Sequence, residues 1–204
     1  MAVLGAGLAG AGVWLGGRQG GTEKAVRRAG VGELPVMVVR ELRPSRVGEV
    51  EIPRLHLYNL KVLEVKAEGE RAEITLGYQD AEGRARAVRF AVFRYLMVGD
   101  RFYPVAELEQ VLAAGVRVTA SLSVAVDGRL RAEELRDWVR ENWERRGEGE
   151  MGRMAAEAVG EFGEKTTSVE AVRRILAGEE GTGEAAVFGS EVRLGKVSVL
   201  EEGE

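Results

Sequence analysis

Few side chains in this sequence are suited to acid–base or nucleophilic chemistry. His56 is the only histidine, cysteine is absent, and serine and threonine together number twelve. The sequence therefore has too few suitable side chains for a hydrolytic triad, or for a metal site built from cysteines or histidines. His56 alternates with Leu55 and Leu57, which predicts a packed or surface position on a strand. The aspartates fall at predicted turns or in a charged helix (Asp80, Asp100, Asp127 and Asp137), so we expect neither a catalytic residue nor a metal.

One glycine pattern matches a known binding motif. Gly5-Ala-Gly-Leu-Ala-Gly10 has the spacing G-x-G-x-x-G, in which glycines allow a tight turn and a close approach to pyrophosphate. The segment resembles the start of flavin- and nicotinamide-binding domains, over these residues alone. The resemblance implies cofactor binding at Gly5, Gly7 and Gly10. The glycines that follow are unsuited to the helix of such a motif, and no acidic residue stands at the expected distance. We keep this as an alternative and expect no bound cofactor.

The same segment also fits a membrane helix. Residues 1–17 carry no charged side chain, and a helical projection places Gly5, Ala9, Gly12 and Gly16 on one stripe. Small residues at this spacing let two helix backbones approach closely in lipid. The pattern resembles the glycine-zipper helices of small membrane proteins, again over this segment only. Seventeen helical residues extend about 26 Å, slightly less than a hydrocarbon core of about 30 Å.

The residues that flank this segment predict its orientation. Trp14 suits a membrane interface, and the basic side chains that follow all lie on its C-terminal side, at Arg18, Lys24, Arg27 and Arg28. Because basic flanks stay on the cytoplasmic side, we expect the folded part of the protein on that side, or on the equivalent inner side of another membrane. A second alternative is a soluble oligomer in which residues 1–17 form a buried apolar arm.

Composition sets further bounds. The chain has 204 residues, of which 45% are hydrophobic and 30% charged, as in a folded protein. Residues 147–204 carry 13 acids against 6 bases and residues 1–146 carry 20 against 23, so no concentrated basic stripe predicts nucleic-acid binding. Many ionisable residues and five asparagines and glutamines in total favour a thermophilic source.

Hydrophobic periodicity predicts an α+β domain over residues 34–200, after a basic connector at 18–33 and before an acidic tail at 201–204. Residues 34–130 are mainly β, with an irregular or edge stretch between Pro44 and Pro53. Alternation predicts an antiparallel sheet of five to seven strands, including a meander at 55–67, 71–79 and 84–98 and further strands at 116–126 and 192–200. A short helix is predicted at 104–114.

Residues 131–200 are mainly helical, with a final strand. Helices are predicted at 131–145, at 151–162 and from a capping box at Thr167-Ser-Val-Glu170 to Leu176. Trp138 shares a stripe with Leu135 and is assigned to the core, whereas Trp143 is a candidate protein interface.

From these features we infer a non-enzymatic, membrane-associated structural or assembly protein, in a cell-envelope complex or in a virion with an internal membrane. Its expected partners are lipid, other proteins and further copies of itself.

Overall fold

The computed structural model of the chain describes residues 34–179 and 185–200. The predicted apolar segment 1–17, the connector 18–33 and the acidic tail 201–204 lie outside them. This part of the chain holds nine strands and four helices. The strands are β1 Val38–Val47, β2 Val50–Glu68, β3 Arg71–Gln79, β4 Ala85–Phe93, β5 Tyr95–Val98, β6 Arg101–Pro104, β7 Arg117–Val124, β8 Ala185–Phe188 and β9 Val192–Val199; the helices are α1 Leu108–Val111, α2 Ala132–Glu144, α3 Gly149–Glu157 and α4 Val169–Ala177.

The strands form a single mixed sheet in the order β6-β5-β9-β7-β2-β3-β4-β8, with β1 paired to β2. An α+β fold is therefore confirmed. The prediction of a purely antiparallel sheet is wrong at two places, because β8 runs parallel to β4 and β9 runs parallel to β5. Parallel neighbours need a long crossover, and the helical region between β7 and β8 supplies it. Two strands follow the helices instead of the one that was predicted.

Strand β2 organises the sheet because it is 19 residues long and pairs with three others. Its register with β7 shifts by one residue between Leu57 and Leu60. Asn59 lies in this bulge with a φ of 59°, a left-handed conformation that asparagine tolerates better than most residues. The extra residue lets Leu55 and Leu57 before the bulge and Leu60 after it all enter the same core.

The main core lies on one face of the curved sheet. Alternate residues of the strands enter it, together with Leu108 and Leu112 from the α1 region and Val172 and Leu176 from α4. Tyr78 is almost fully buried there, and its hydroxyl donates to the Leu176 carbonyl at 2.9 Å. This bond connects β3 to the C-terminal turn of α4, where helix carbonyls otherwise lack partners.

Asp80 reinforces that connection from the turn between β3 and β4. Its carboxylate accepts from the backbone N–H of Arg84 at 2.8 Å and from the side chains of Arg84 and Arg86. Burial by itself would raise the pKa of Asp80, but these hydrogen bonds outweigh burial and lower the pKa. Arg86 in turn lies against Gly178, which ends α4 in a left-handed conformation. The predicted turn role of Asp80 therefore extends to fixing a helix.

The opposite face of the sheet carries a second, smaller core under α2 and the segment that follows α3. Ile52 of β2 and Ala125 beyond β7 contribute to it from the sheet side, and Leu135 contributes from α2. Trp138 packs against this cluster, in agreement with the core role predicted from its stripe. Apolar residues cover only one end of this face of the sheet. The rest of the face carries polar side chains.

The irregular or edge stretch predicted between Pro44 and Pro53 is confirmed. Its residues pair only between β1 and β2, and both prolines lie where these two strands shift register. Other predicted boundaries were wrong, each for a local reason. The strand predicted at 84–98 divides at Arg94, whose φ of 52° breaks the extended chain between β4 and β5. The cap of α4 is Ser168 and not Thr167, because the Ser168 hydroxyl accepts from Ala171 N–H at 3.0 Å.

Gly152 sets the spacing between α2 and α3, and this gives a first prediction. A Cβ at Gly152 would lie 2.6 Å from Trp143 Cβ and 3.1 Å from the Arg140 carbonyl oxygen. Gly152→Ala should therefore destabilise the protein by roughly 1–3 kcal/mol through overpacking, measured as a lower urea midpoint. Gly149→Ala is the matched control in the same helix, since its Cβ would meet Glu144 at an ordinary 3.7 Å. Equal midpoints for the two variants would contradict this packing.

Candidate functional site

A row of polar side chains crosses the sheet on the face that carries the second core. Arg54 of β2 pairs in register with Ser123 of β7, and Ser123 pairs with Arg193 of β9. Because Leu55, Leu122 and Leu194 enter the main core, their neighbours Arg54, Ser123 and Arg193 face the other way. Adjacent strands are about 4.8 Å apart, so the row places a hydroxyl between two guanidinium-bearing side chains.

The next row along the same face contains His56, Ser121 and Lys196. His56 Nδ1 and Ser121 Oγ are 2.9 Å apart and hydrogen-bonded, and the Tyr58 ring packs edge-on against the imidazole. Burial, followed by the positive charges of Arg54 and Lys196, lowers the pKa of His56 below its ordinary 6.5. The imidazole is therefore neutral at pH 7, and it acts here as a hydrogen-bonded strand residue.

A cleft of about 280 Å³ lies between these rows and the helices. Its floor includes Arg54, Arg193, Lys196 and the hydroxyls of Ser121 and Ser123. Its walls are apolar and include four aromatic rings, those of Phe102, Trp138, Trp143 and Phe162. The Phe102 and Trp143 rings meet edge to face with centroids 6.2 Å apart.

The cleft is electrostatically one-sided. Three cationic residues line it, and no carboxylate is among the described residues that do. Lys196 Nζ is neutralised by Asp100, 2.9 Å away and highly exposed. Arg193 donates from Nε to the Ala158 carbonyl at 3.1 Å, and desolvation lowers its pKa to about 10, so it stays charged at neutral pH. Within the described residues neither Arg54 nor Arg193 is ion-paired, which leaves two positive charges beside a pair of hydroxyls.

A second arginine-rich hollow provides a contrast. Arg94, Arg136, Arg140 and Arg153 line a space of about 310 Å³ together with Glu157. These guanidinium groups are already occupied, because each bonds or pairs with a carboxylate or a backbone carbonyl: Arg94 with Glu70, Arg136 with the Gly160 carbonyl, Arg140 with Asp137 and Arg153 with Glu157. Arginine clustering alone is thus common in this chain. The first site differs because no carboxylate among the described residues lines it or pairs with Arg54 or Arg193.

The structure brings only one predicted site residue to this cleft. Trp143 forms part of its wall, and Arg146 lies over the Trp143 ring at 5.7 Å. Its predicted role as a protein interface stays a prediction. The other predicted residues lie outside the described part of the chain: Gly5, Gly7, Ala9, Gly10, Gly12, Trp14, Gly16, Arg18, Lys24, Arg27 and Arg28.

Sequence reasoning missed Arg54, Ser123 and Arg193 because they are far apart along the chain. One signal in the sequence could have pointed to them. All three are polar residues that alternate with apolar residues along predicted strands, and this marks positions facing away from the core. Strand order and register were needed to align them, and neither can be read from alternation alone.

Comparison with known proteins places this chain in no family: no family model, no curated protein and no solved structure matches it. Within residues 34–179 and 185–200, no helix combines the length and the apolar character needed to cross a membrane. The same residues contain no group of three or more acidic or histidine side chains arranged to hold a metal ion.

The single histidine permits a direct test of the electrostatics of this site. The Hε1 resonance of His56 should titrate with a midpoint below 6.5, and Arg54→Gln should move the midpoint upward because a neighbouring positive charge is lost. Since the folded-state pKa is lowered, the stability that neutral His56 contributes is complete above pH 6.5 and is lost as the pH falls toward the folded-state value. Proton NMR of the full-length chain measures the midpoint.

Arg174→Gln is the matched control for this titration. Arg174 belongs to α4, which packs against the main core on the other face of the sheet, and it pairs with Glu179. Its removal should leave the His56 midpoint unchanged. A wild-type midpoint at or above 6.5, or equal shifts in the two variants, would contradict a cationic environment centred on Arg54.

Proposed function

We propose that this chain is a non-enzymatic, membrane-associated assembly protein, in which residues 1–17 insert as a glycine-packed helix and the α+β domain binds partners. The observation that carries the proposal is the sequence of residues 1–17, which lacks charged side chains in a chain that is otherwise 30% charged. The Gly5, Ala9, Gly12 and Gly16 stripe supplies a surface for helix packing in lipid.

The flanking charges support one orientation. Basic residues occur at Arg18, Lys24, Arg27 and Arg28, between the apolar segment and the described residues, which begin at Leu34. Basic residues near a membrane helix favour the cytoplasmic side, and each also attracts anionic lipid by about 1 kcal/mol. The domain is therefore proposed on the cytoplasmic, or equivalent inner, side, in a cell-envelope complex or in a virion that encloses a membrane.

The side-chain inventory supports an assembly role over catalysis. One histidine, no cysteine and twelve hydroxyls give little material for acid–base or nucleophilic chemistry. The lone imidazole is hydrogen-bonded to Ser121, and the best-buried carboxylate, that of Asp80, is occupied by Arg84 and Arg86. The features that remain available for function are surfaces and a cleft, which suit binding.

Flotation with liposomes tests membrane association. The full-length chain should float with vesicles that contain anionic lipid, and a variant that lacks residues 1–17 should remain in the soluble fraction. The shortened chain must unfold at the same urea midpoint as the full-length chain and must retain the far-UV circular dichroism spectrum of a folded α+β domain. Loss of flotation can then be distinguished from loss of folding. Flotation of both chains, or of neither, would overturn the anchor.

Self-association in detergent tests the glycine stripe separately. Gly12→Leu and Gly16→Leu should weaken association because leucine keeps the two backbones apart, whereas Ala11→Leu, on the neighbouring stripe, should have little effect. Unchanged association in both glycine variants would remove the zipper.

If the full-length chain is soluble and the shortened chain changes oligomer size, residues 1–17 form the buried arm of a soluble oligomer. Tight flavin or nicotinamide binding that requires Gly5, Gly7 and Gly10 would favour the nucleotide loop.

A further inference from the structure

The cleft between the sheet and helices α2 and α3 has no role in the proposed membrane association, yet it has the features of a ligand site. Two arginines and two serines occupy its floor, and aromatic rings occupy its walls. Polar groups at one end of an apolar cleft fix the orientation of a ligand, and the apolar walls supply contact area.

The floor fits a dianion better than a monoanion. Arg54 and Arg193 are not ion-paired among the described residues, and Ser123 lies between them in the cross-strand row. A phosphate monoester carries a charge of about −1.5 to −2 at neutral pH and presents three acceptor oxygens. It would balance both guanidinium groups and accept from the hydroxyls, whereas a carboxylate would leave one positive charge unbalanced.

The walls and the volume restrict what the phosphate is attached to. Phe102, Trp138 and Trp143 offer ring surfaces for stacking, which favours a flat group. A volume of about 280 Å³ is at the lower end of ligand-pocket sizes, which fits one base with its sugar and phosphate. A dinucleotide is too large for this space.

We propose that this cleft binds a nucleoside monophosphate, with its phosphate on Arg54, Arg193 and Ser123 and its base against the aromatic wall of Trp138 and Trp143.

Binding should also change the electrostatics next to the row. His56 lies one row away and is influenced by Arg54 and Lys196, while Arg40 of β1 pairs with it in register. A bound phosphate would offset part of this positive charge. The His56 titration midpoint should therefore rise when a phosphate-bearing ligand binds, and it should not respond to the same ligand without its phosphate.

Isothermal titration calorimetry on the full-length chain, with AMP, adenosine and glycerol 3-phosphate as probes, tests the proposal. AMP should bind at least about tenfold more tightly than adenosine, because the arginine contacts depend on the phosphate. AMP should also bind more tightly than glycerol 3-phosphate, which is likewise a phosphate monoester but has no ring. The His56 midpoint should rise with AMP and stay constant with adenosine.

Two matched variants locate the binding. Arg54→Gln should weaken AMP binding by about 10- to 100-fold and leave adenosine binding unchanged. Arg54 has no hydrogen bond within the described residues, so this variant should keep the wild-type urea midpoint. Arg174→Gln, which also removes one arginine but from the other face of the sheet, should bind AMP like the wild type.

Several results would overturn the proposal. Adenosine that binds as tightly as AMP removes the phosphate contact. Glycerol 3-phosphate that binds as tightly as AMP removes the contact with the base and leaves a site for a phosphate monoester alone. Equal losses in the Arg54 and Arg174 variants place any binding elsewhere, and absence of heat with AMP at millimolar concentration removes the site. These outcomes are independent of flotation, since the chain that lacks residues 1–17 can be titrated in the same way.

Discussion

The bulge at Asn59 is the local constraint on which the two faces of this domain depend. Side chains alternate strictly along a strand, so a continuous β2 would have turned Leu60 away from the core that Leu55 and Leu57 occupy. The extra residue resets the alternation. A second shift occurs at Gly195 of β9, between the pairs Ser121 with Lys196 and Leu122 with Leu194. A long strand can thus direct apolar side chains into the same core along its whole length.

The same alternation creates the face that carries the cleft as a consequence of forming the core. Every apolar residue directed into the main core leaves a neighbour directed outward, and around the cleft those neighbours on β2, β7 and β9 are polar or cationic. Where they are apolar, as at Ile52, α2 and the segment that follows α3 cover them. Where they are polar, as at Arg54 and Ser123, a cleft remains. The position of the cleft is therefore set by where the helix layer ceases to find apolar residues on the sheet.

Much of the fold could be predicted from the sequence, because its strongest signals are local. Alternation at 116–126 and the stripe of Leu135 and Trp138 correspond to β7 and α2. The parallel pairing of β8 with β4 could not be predicted, since no local signal specifies a partner so distant in the chain. The cleft could not be predicted for the same reason, because Arg54, Ser123 and Arg193 become neighbours only through strand order. The glycine motif was visible, but its residues lie outside the described part of the chain.

The positive charges in the cleft are in energetically unfavourable surroundings. This distinguishes the cleft from the hollow that Arg94, Arg136, Arg140 and Arg153 line. Desolvation lowers the pKa of Arg193, and burial with neighbouring cations lowers that of His56, so both groups are in surroundings that disfavour a proton. In the hollow around Arg136, carbonyls and carboxylates compensate the guanidinium groups directly. Core packing requires nothing of the Arg54 side chain, because Arg54 belongs to neither hydrophobic core. An anion that enters the cleft would supply the compensation that the described residues leave out, and this converts an unfavourable feature of the isolated domain into binding free energy.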